Sequence, residues 1–280
     1  MRYFITLSYN GEPFCGWQIQ PNAPSVQQTL EEALAKVLRH PVSIVGAGRT
    51  DAGVHARNMT AHFDTEQSFT PAQLVHKLNR MMPRSVAIHT IRAVRPEAHA
   101  RFDATSRLYH YHITFERDPF CGHLQTFVHH ALDFERMDRA AQILFEYEDF
   151  TSFSKLHTDV KTNNCRIMQA SWEPIGLSMS NAVGELSNAN TQNDNATDRL
   201  RLDASSVMQP RWCFVIEADR FLRNMVRAIV GTLLDVGRGK LTEDDFRRII
   251  ETKDRSAAGT SAPAHGLFFF GATYPDLYID

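Results

Sequence analysis

The order of hydrophobic patterns along the chain repeats once, and that repeat limits the fold more than any single residue does. From Tyr3 to Tyr9 apolar and polar residues alternate as in a strand, and Asn10-Gly11 marks a turn. Val26, Leu30, Leu34, Val37 and Leu38 then recur at helical spacing, after Ser25 placed three residues before Gln28 as in a capping box. Val42–Val45 is a second strand and Met59–Asp64 a third. Thr70 and Pro71 open a helix with Leu74, Val75 and Leu78 inward, ending near Met81, and Val86–Val94 is the fourth strand. From Arg107 the order recurs: a strand to Phe115, a helix over Phe134–Phe145, and a strand pair, Cys165–Trp172 with Trp212–Ala218. An apolar helix over Phe221–Val236, a second from Thr242 to about Glu251 and a closing strand, Leu267–Thr273, complete it. Two split β-α-β-β-α-β units predict an α+β protein in two pseudo-symmetric halves, residues 1–104 and 105–280. Their sheets are expected to meet edge to edge, with a cleft between the halves.

One stretch breaks the pattern. Residues 178–206 carry Asn181, Asn188, Asn190, Asn193 and Asn195 among Ser, Thr, Gly and Asp. Such a segment buries little apolar surface, and a long mobile loop between two strands is expected there.

At 280 residues with 43% hydrophobic content, the chain is long enough for substantial cores. No apolar run is long enough to span a bilayer, and the N-terminal stretch lacks the apolar core and cleavage site of a signal peptide. Cys15, Cys121, Cys165 and Cys213 are far apart with no Cys-x-x-Cys, which argues against a disulfide framework or zinc knuckle and fits a reducing cytoplasm. The formal charge of −2 argues against a general polyanion binder. The charge is uneven, however. Residues 1–110 hold 12 Lys+Arg against 8 Asp+Glu, and the remainder 18 against 24. Only Lys36 and Lys77 among those first cations are lysines; arginine suits bidentate phosphate contacts and stacking on bases, so a local basic cleft is expected.

Chemistry concentrates in Gly46-Ala47-Gly48-Arg49-Thr50-Asp51-Ala52-Gly53-Val54-His55. Glycines let backbone turn sharply and another molecule approach closely. They crowd one arginine and one carboxylate together, and a cation two residues away favours the ionised acid. Small neighbours leave that acid reachable. A second stretch runs from His99-Ala100-Arg101-Phe102 to Tyr111. On a strand, Arg107, Tyr109 and Tyr111 share one face, parts suited to stacking a flipped base and holding phosphate. His110 and His112 share the other face; with no cysteine or carboxylate at ligand spacing nearby, no metal is expected.

Gly48-Arg49-Thr50-Asp51-Ala52-Gly53-Val54-His55 resembles the signature of the tRNA pseudouridine synthase A family, the anticodon-stem branch of the pseudouridine synthases. The resemblance extends along nearly the whole chain. It includes Tyr9-Asn10-Gly11, Gly16-Trp17-Gln18, Ser25-Val26-Gln27, His99-Ala100-Arg101-Phe102, Arg107-x-Tyr109-x-Tyr111, Asp149-Phe150-Thr151-Ser152-Phe153, Met225-Val226-Arg227, Gly266-Leu267 and Tyr274-Pro275. It implies the pseudouridine synthase fold and isomerisation of uridine to pseudouridine at positions 38, 39 and 40 of tRNA. It also implies a homodimer bridged by tRNA, with no cofactor. By the match Asp51 is the catalytic carboxylate and Arg49 pairs with it and helps open the stem. Tyr109 stacks on the target base, Arg227 sits near the aspartate and Leu267 packs against the base. The insertion at 178–206 and the extra cation of Ala56-Arg57 depart from the family pattern without touching these residues.

The chemistry is sound from the residues alone. Breaking a glycosidic bond builds positive character on the sugar, which a carboxylate can stabilise or trap. Uracil leaves more readily than an alcohol, so one acid suffices where glycosidases use two. Attack on the sugar and removal of its 2′ proton both fit that acid. A stem base must first leave its stack, at a few kcal/mol; stacking on Tyr109 returns about 1–3 kcal/mol. A pure RNA-binding module gains nothing from a carboxylate in a basic cleft. An aspartic protease is excluded by Ala52 and the lack of a partner copy, and a phosphate-binding loop by the lack of Lys-Ser/Thr after the glycines.

Overall fold

The alternating segments pair into one sheet that runs through both halves of the chain. A computed structural model describes residues 1–155, 162–175 and 211–278; the stretch 178–206 lies outside them. The strands are β1 (Arg2–Tyr9), β2 (Ile44–Gly46), β3 (His55–Asp64), β4 (Val86–Val94), β5 (Ser106–Thr114), β6 (Thr126–Phe127), β7 (Ile167–Ile175), β8 (Arg211–Ala218) and β9 (Leu267–Thr273). Their order is β4-β1-β3-β9-β5-β8-β7, with β2 beside β3 and β6 beside β5. The first half's opening strand, β1, lies between its last (β4) and third (β3); β5 lies in the same way between β9 and β8. The repeated sequence order therefore becomes a repeated strand order. Pairing is antiparallel within each group, except that β6 lies parallel to β5. The groups join through a short parallel seam, β3 to β9, at His55↔Phe268 and Ala56↔Phe269. The Gly-rich loop connects β2 to β3, so it ends at this seam.

Helices α1 (Val26–Leu38), α2 (Pro71–Met81), α3 (Phe134–Gln142), α4 (Met225–Gly237) and α5 (Glu243–Thr252) contribute their buried residues to one cluster. That cluster takes Leu7 and Tyr9 of β1, Tyr109 and Tyr111 of β5, Phe214 and Ile216 of β8 and Phe269 of β9. Alternation along the strands thus turns one sheet face to the helices. Large apolar side chains on it each contribute roughly 1.5–3 kcal/mol of burial. His110, His112 and Phe268 fall on the reverse face, half-buried, with Phe270 exposed.

Side-chain caps open three of the five helices, α1, α3 and α5. Ser25 Oγ accepts from Gln28 N at 3.2 Å, while the Gln28 amide turns away to Glu32, so the box is half made. Thr242 and Asp245 make it fully, backbone N–H to side chain in both directions at 2.8 and 3.1 Å. Two helices are shorter than their patterns predict. The α3 pattern passes at Ile143 into a tighter 3₁₀ turn, Ile143–Glu146. Before α4, Asn224 takes a left-handed conformation, φ 66°, which stops the helix from reaching back to Phe221. Arg220–Arg223 are left as a loop beside β5. β3 in turn begins earlier than its pattern, at His55, because pairing with β9 extends it.

A strap over residues 258–262 crosses α4. Ala262 N donates to Arg227 O at 2.9 Å and Gly259 N to Thr232 Oγ1 at 3.0 Å. Gly231 allows this approach: a Cβ there would stand 1.9 Å from Thr260 O. Gly231→Ala is therefore expected to lower stability by about 1–3 kcal/mol, as overpacking does. Gly122→Ala, where a Cβ meets nothing within 4 Å, should leave thermal unfolding unchanged.

Candidate active site

The Gly-rich loop is shaped by residues 9–17, which pack beneath it. Tyr9 Oη and Thr50 Oγ1 are hydrogen-bonded at 2.8 Å, and Trp17 N donates to Thr50 O at 3.2 Å. Gly16 has φ 92°, and a Cβ on it would fall 2.4 Å from Thr50 O, so only glycine fits. Val54 N closes the loop onto Asp51 O at 3.1 Å. His55 begins β3, buried. Its Nδ1 accepts from Gly11 N at 3.0 Å, which leaves the proton on Nε2, donated to His265 O at 3.1 Å. Burial lowers its pKa and keeps the ring neutral. His55 thus ties the loop to both halves.

Thr50 is turned inward, and Asp51 keeps 27% of its side chain accessible. Its counter-charges come from the loop before α4 and from the first turn of that helix. Arg223 Nε lies 3.6 Å from Oδ1, and Arg227 Nη1 lies 3.7 Å from Oδ2. Arg227 Nε is held on Ala262 O at 2.7 Å, so the strap fixes that guanidinium. Arg49 is not among the ion-pair partners of Asp51: it is exposed, and its charge acts on Arg101 together with that of Arg220. A basic rim of Arg49, Arg101 and Arg220 therefore lies outside the inner pair on the carboxylate.

The face shared by Arg107, Tyr109 and Tyr111 divides its work. Arg107 is a tie: it donates to Ala104 O at 2.8 Å, Asp219 O at 2.7 Å, Ala47 O at 3.3 Å and, very closely, Arg101 O. Tyr111 is another, with its hydroxyl on Pro263 O at 3.0 Å and Thr126 Oγ1 at 2.6 Å. Tyr109 differs. Its ring stands nearly perpendicular to those of Phe221, 5.1 Å away, and Phe269, 5.3 Å away. Its hydroxyl has no partner among the described residues and is not sealed from solvent. Burial and the nearby Asp51 charge push its pKa up, so the phenol stays neutral. Leu267, buried, opens β9 opposite Tyr111. The site thus gathers Asp51, Arg227 and Tyr109, with Leu267 on the neighbouring strand and Arg49 on the rim.

Sequence reasoning missed Arg223, Arg220 and Phe221. The signal was present in the arginines that flank Phe221-Leu222 just before an apolar helix. Arg101 and Phe102 are held by a turn built on histidine. Ala100 N donates to His62 Nδ1 at 3.1 Å, while Arg101 N and Phe102 N donate to His99 Nδ1 at 3.1 and 3.2 Å.

Comparison with known proteins agrees with this architecture. The family model described as tRNA pseudouridine synthase matches residues 5–103 and 140–275. A protein of Parabacteroides distasonis named tRNA pseudouridine synthase A is 54% identical over 276 residues, covering 98% of this chain and 96% of that one. Proteins of the same name from Porphyromonas gingivalis and Bacillus licheniformis are 52% and 34% identical, each covering 98–99% of both chains. The chain belongs to the tRNA pseudouridine synthase family.

The histidine turn generates a pH dependence. Burial first, then the Arg2 charge, depresses the His62 pKa to about 4, and burial lowers that of His99. Above the unfolded value near 6.5 both states are neutral and the contribution is intact. As pH falls from about 6.5 toward 4, the unfolded chain takes protons that the folded one refuses, and stability is lost. Denaturant unfolding should show a decline of about 1–3 kcal/mol across that window. His62→Asn, whose Oδ1 can replace Nδ1 as acceptor, should make the decline shallower, the remainder coming from other buried histidines such as His112, whose pKa burial lowers to about 4.

Proposed function

We propose that this protein is an isomerase that converts uridine to pseudouridine at positions 38, 39 and 40 of tRNA. The observation that carries the proposal is Asp51: an accessible carboxylate within 4 Å of two guanidinium groups, beside a tyrosine whose hydroxyl is left open. The reaction breaks the bond from C1′ to N1, forms one from C1′ to C5, moves a proton onto N1 and takes one from C5. Asp51 meets the sugar as positive character develops there. Tyr109 receives the extruded uracil, Leu267 adds apolar contact, and Arg49 helps open the stem. Because the phenol is held neutral, Tyr109 offers a ring face and a hydroxyl rather than a phenolate. Arg49, Arg101 and Arg220 supply the charge that RNA phosphates require, although the whole chain is slightly acidic. The cysteines fit the reducing cytoplasm, where tRNA is modified. Among the described residues no helix is long and apolar enough to cross a membrane.

The working unit we propose is a homodimer, with tRNA reaching across both copies. The exposed Phe270 and half-buried Phe268, on the sheet face turned away from the helices, support it.

Three outcomes test the reading. Asp51→Ala should abolish pseudouridine in the anticodon arm of unmodified tRNA while filter binding still detects the complex; turnover near wild type would remove Asp51 from its role. Affinity for tRNA should fall steeply as salt rises from about 50 to 200 mM, and Arg101→Ala should shallow the log–log slope by about one. Tyr109→Ala should lose far more turnover than Tyr109→Phe if the ring face is what the uracil uses.

A further inference from the structure

On the reverse face of the sheet, β5 presents His110 and His112 side by side, ring centroids 6.1 Å apart. Strand pairing sets Cys213 of β8 directly opposite His112 and Glu173 of β7 directly opposite Cys213. One ligand atom from each of His110, His112 and Cys213 lies within 4.8 Å of the other two. Tetrahedral zinc, with bonds of about 2.0 Å to nitrogen and 2.3 Å to sulfur, needs ligand separations of roughly 3.3–3.6 Å. Binding therefore requires side-chain rotation to draw the three ligand atoms closer together. The rings are already braced: His110 stacks on Phe270 at 3.8 Å and 6°, and His112 stands edge-on to Phe268 at 5.1 Å. Neither imidazole hydrogen-bonds to a protein group among the described residues, so their nitrogens do no other work in the fold.

We propose that His110, His112 and Cys213 form a binding site for a divalent transition metal of the zinc type, on the sheet face opposite Tyr109. Two imidazole nitrogens and a thiolate are a donor set that suits zinc. The Cys213 thiol loses its proton to solvent as the ion enters. One thiolate leaves a net positive site, and Glu173, close enough for its charge to act on both His110 and Cys213, lies where it can balance that charge or take the fourth position. The ion ties β5 to β8 behind the strand that carries Tyr109 and Tyr111. All three ligands come from one chain, so the stoichiometry is one ion per chain whether or not a second copy docks on this face.

The test is titration of the full-length, chelator-treated protein with Co²⁺ under reducing conditions, followed by displacement with Zn²⁺. One equivalent should bind at micromolar affinity or better. A thiolate-to-cobalt charge-transfer band and the intense visible bands of tetrahedral cobalt should appear, and Zn²⁺ should raise the melting temperature by several degrees. His110→Asn and His112→Asn, at half-buried positions, should each weaken binding at least about 10-fold. Cys213→Ser should remove the charge-transfer band, and Cys121→Ser should change nothing. Because Cys213 is buried and its variant can fail to fold, the two histidine variants carry the decision. Absence of stoichiometric binding, or binding unchanged in both histidine variants, overturns the proposal.

Discussion

The seam between β3 and β9 is only two residue pairs long, and the geometry of the proposed active site depends on it. Asp51 belongs to the first half; Arg223, Arg227, Tyr109 and Phe269 belong to the second. Two hydrogen-bonded pairs cannot hold such a juncture alone. His55 bridges Gly11 to His265 across it, and Arg107 reaches Ala47 O from β5. Tyr274 Oη donates to Ala100 O at 2.6 Å on the same line. The residues of the proposed site are flanked by others whose polar groups are spent on keeping the halves in register.

The division of labour among similar side chains follows from what each is bonded to. Arg107 and Arg227 have N–H groups committed to backbone carbonyls, and Arg223 has more than half of its side chain in solvent. Tyr111 is buried with its hydroxyl bonded on two sides, whereas the hydroxyl of Tyr109, one strand repeat away, has no partner among the described residues. Residue type alone does not separate these roles; the neighbours do.

Much of the fold was legible because its cues are local. Period-two and period-3.6 patterns locate nearly every strand and helix, and the repeated order of elements anticipates the repeated order of strands. What was not legible is set by distant partners. β3 starts at His55 because β9 pairs there, and β6 is a two-residue strand defined only by lying beside β5. The Gly-rich loop announced Asp51, but nothing within it indicates that the carboxylate turns toward Arg223 and Arg227 rather than Arg49. That choice belongs to the left-handed Asn224 and the strap across α4, over 170 residues downstream. Likewise, 100 residues separate His112 from Cys213 in the chain, and only the register makes them neighbours.

The contacts between Asp51 and its two arginines are loose, at 3.6 and 3.7 Å, beyond the reach of a tight hydrogen bond. Their N–H groups facing the carboxylate are therefore attracted but not saturated. An arriving polyanion competes for the more exposed of them, Arg223, while Arg227 stays fastened to the strap. In the proposed reaction, substrate docking would strip one counter-ion from Asp51 and leave the other, so that the acid would be less shielded when a sugar stood before it.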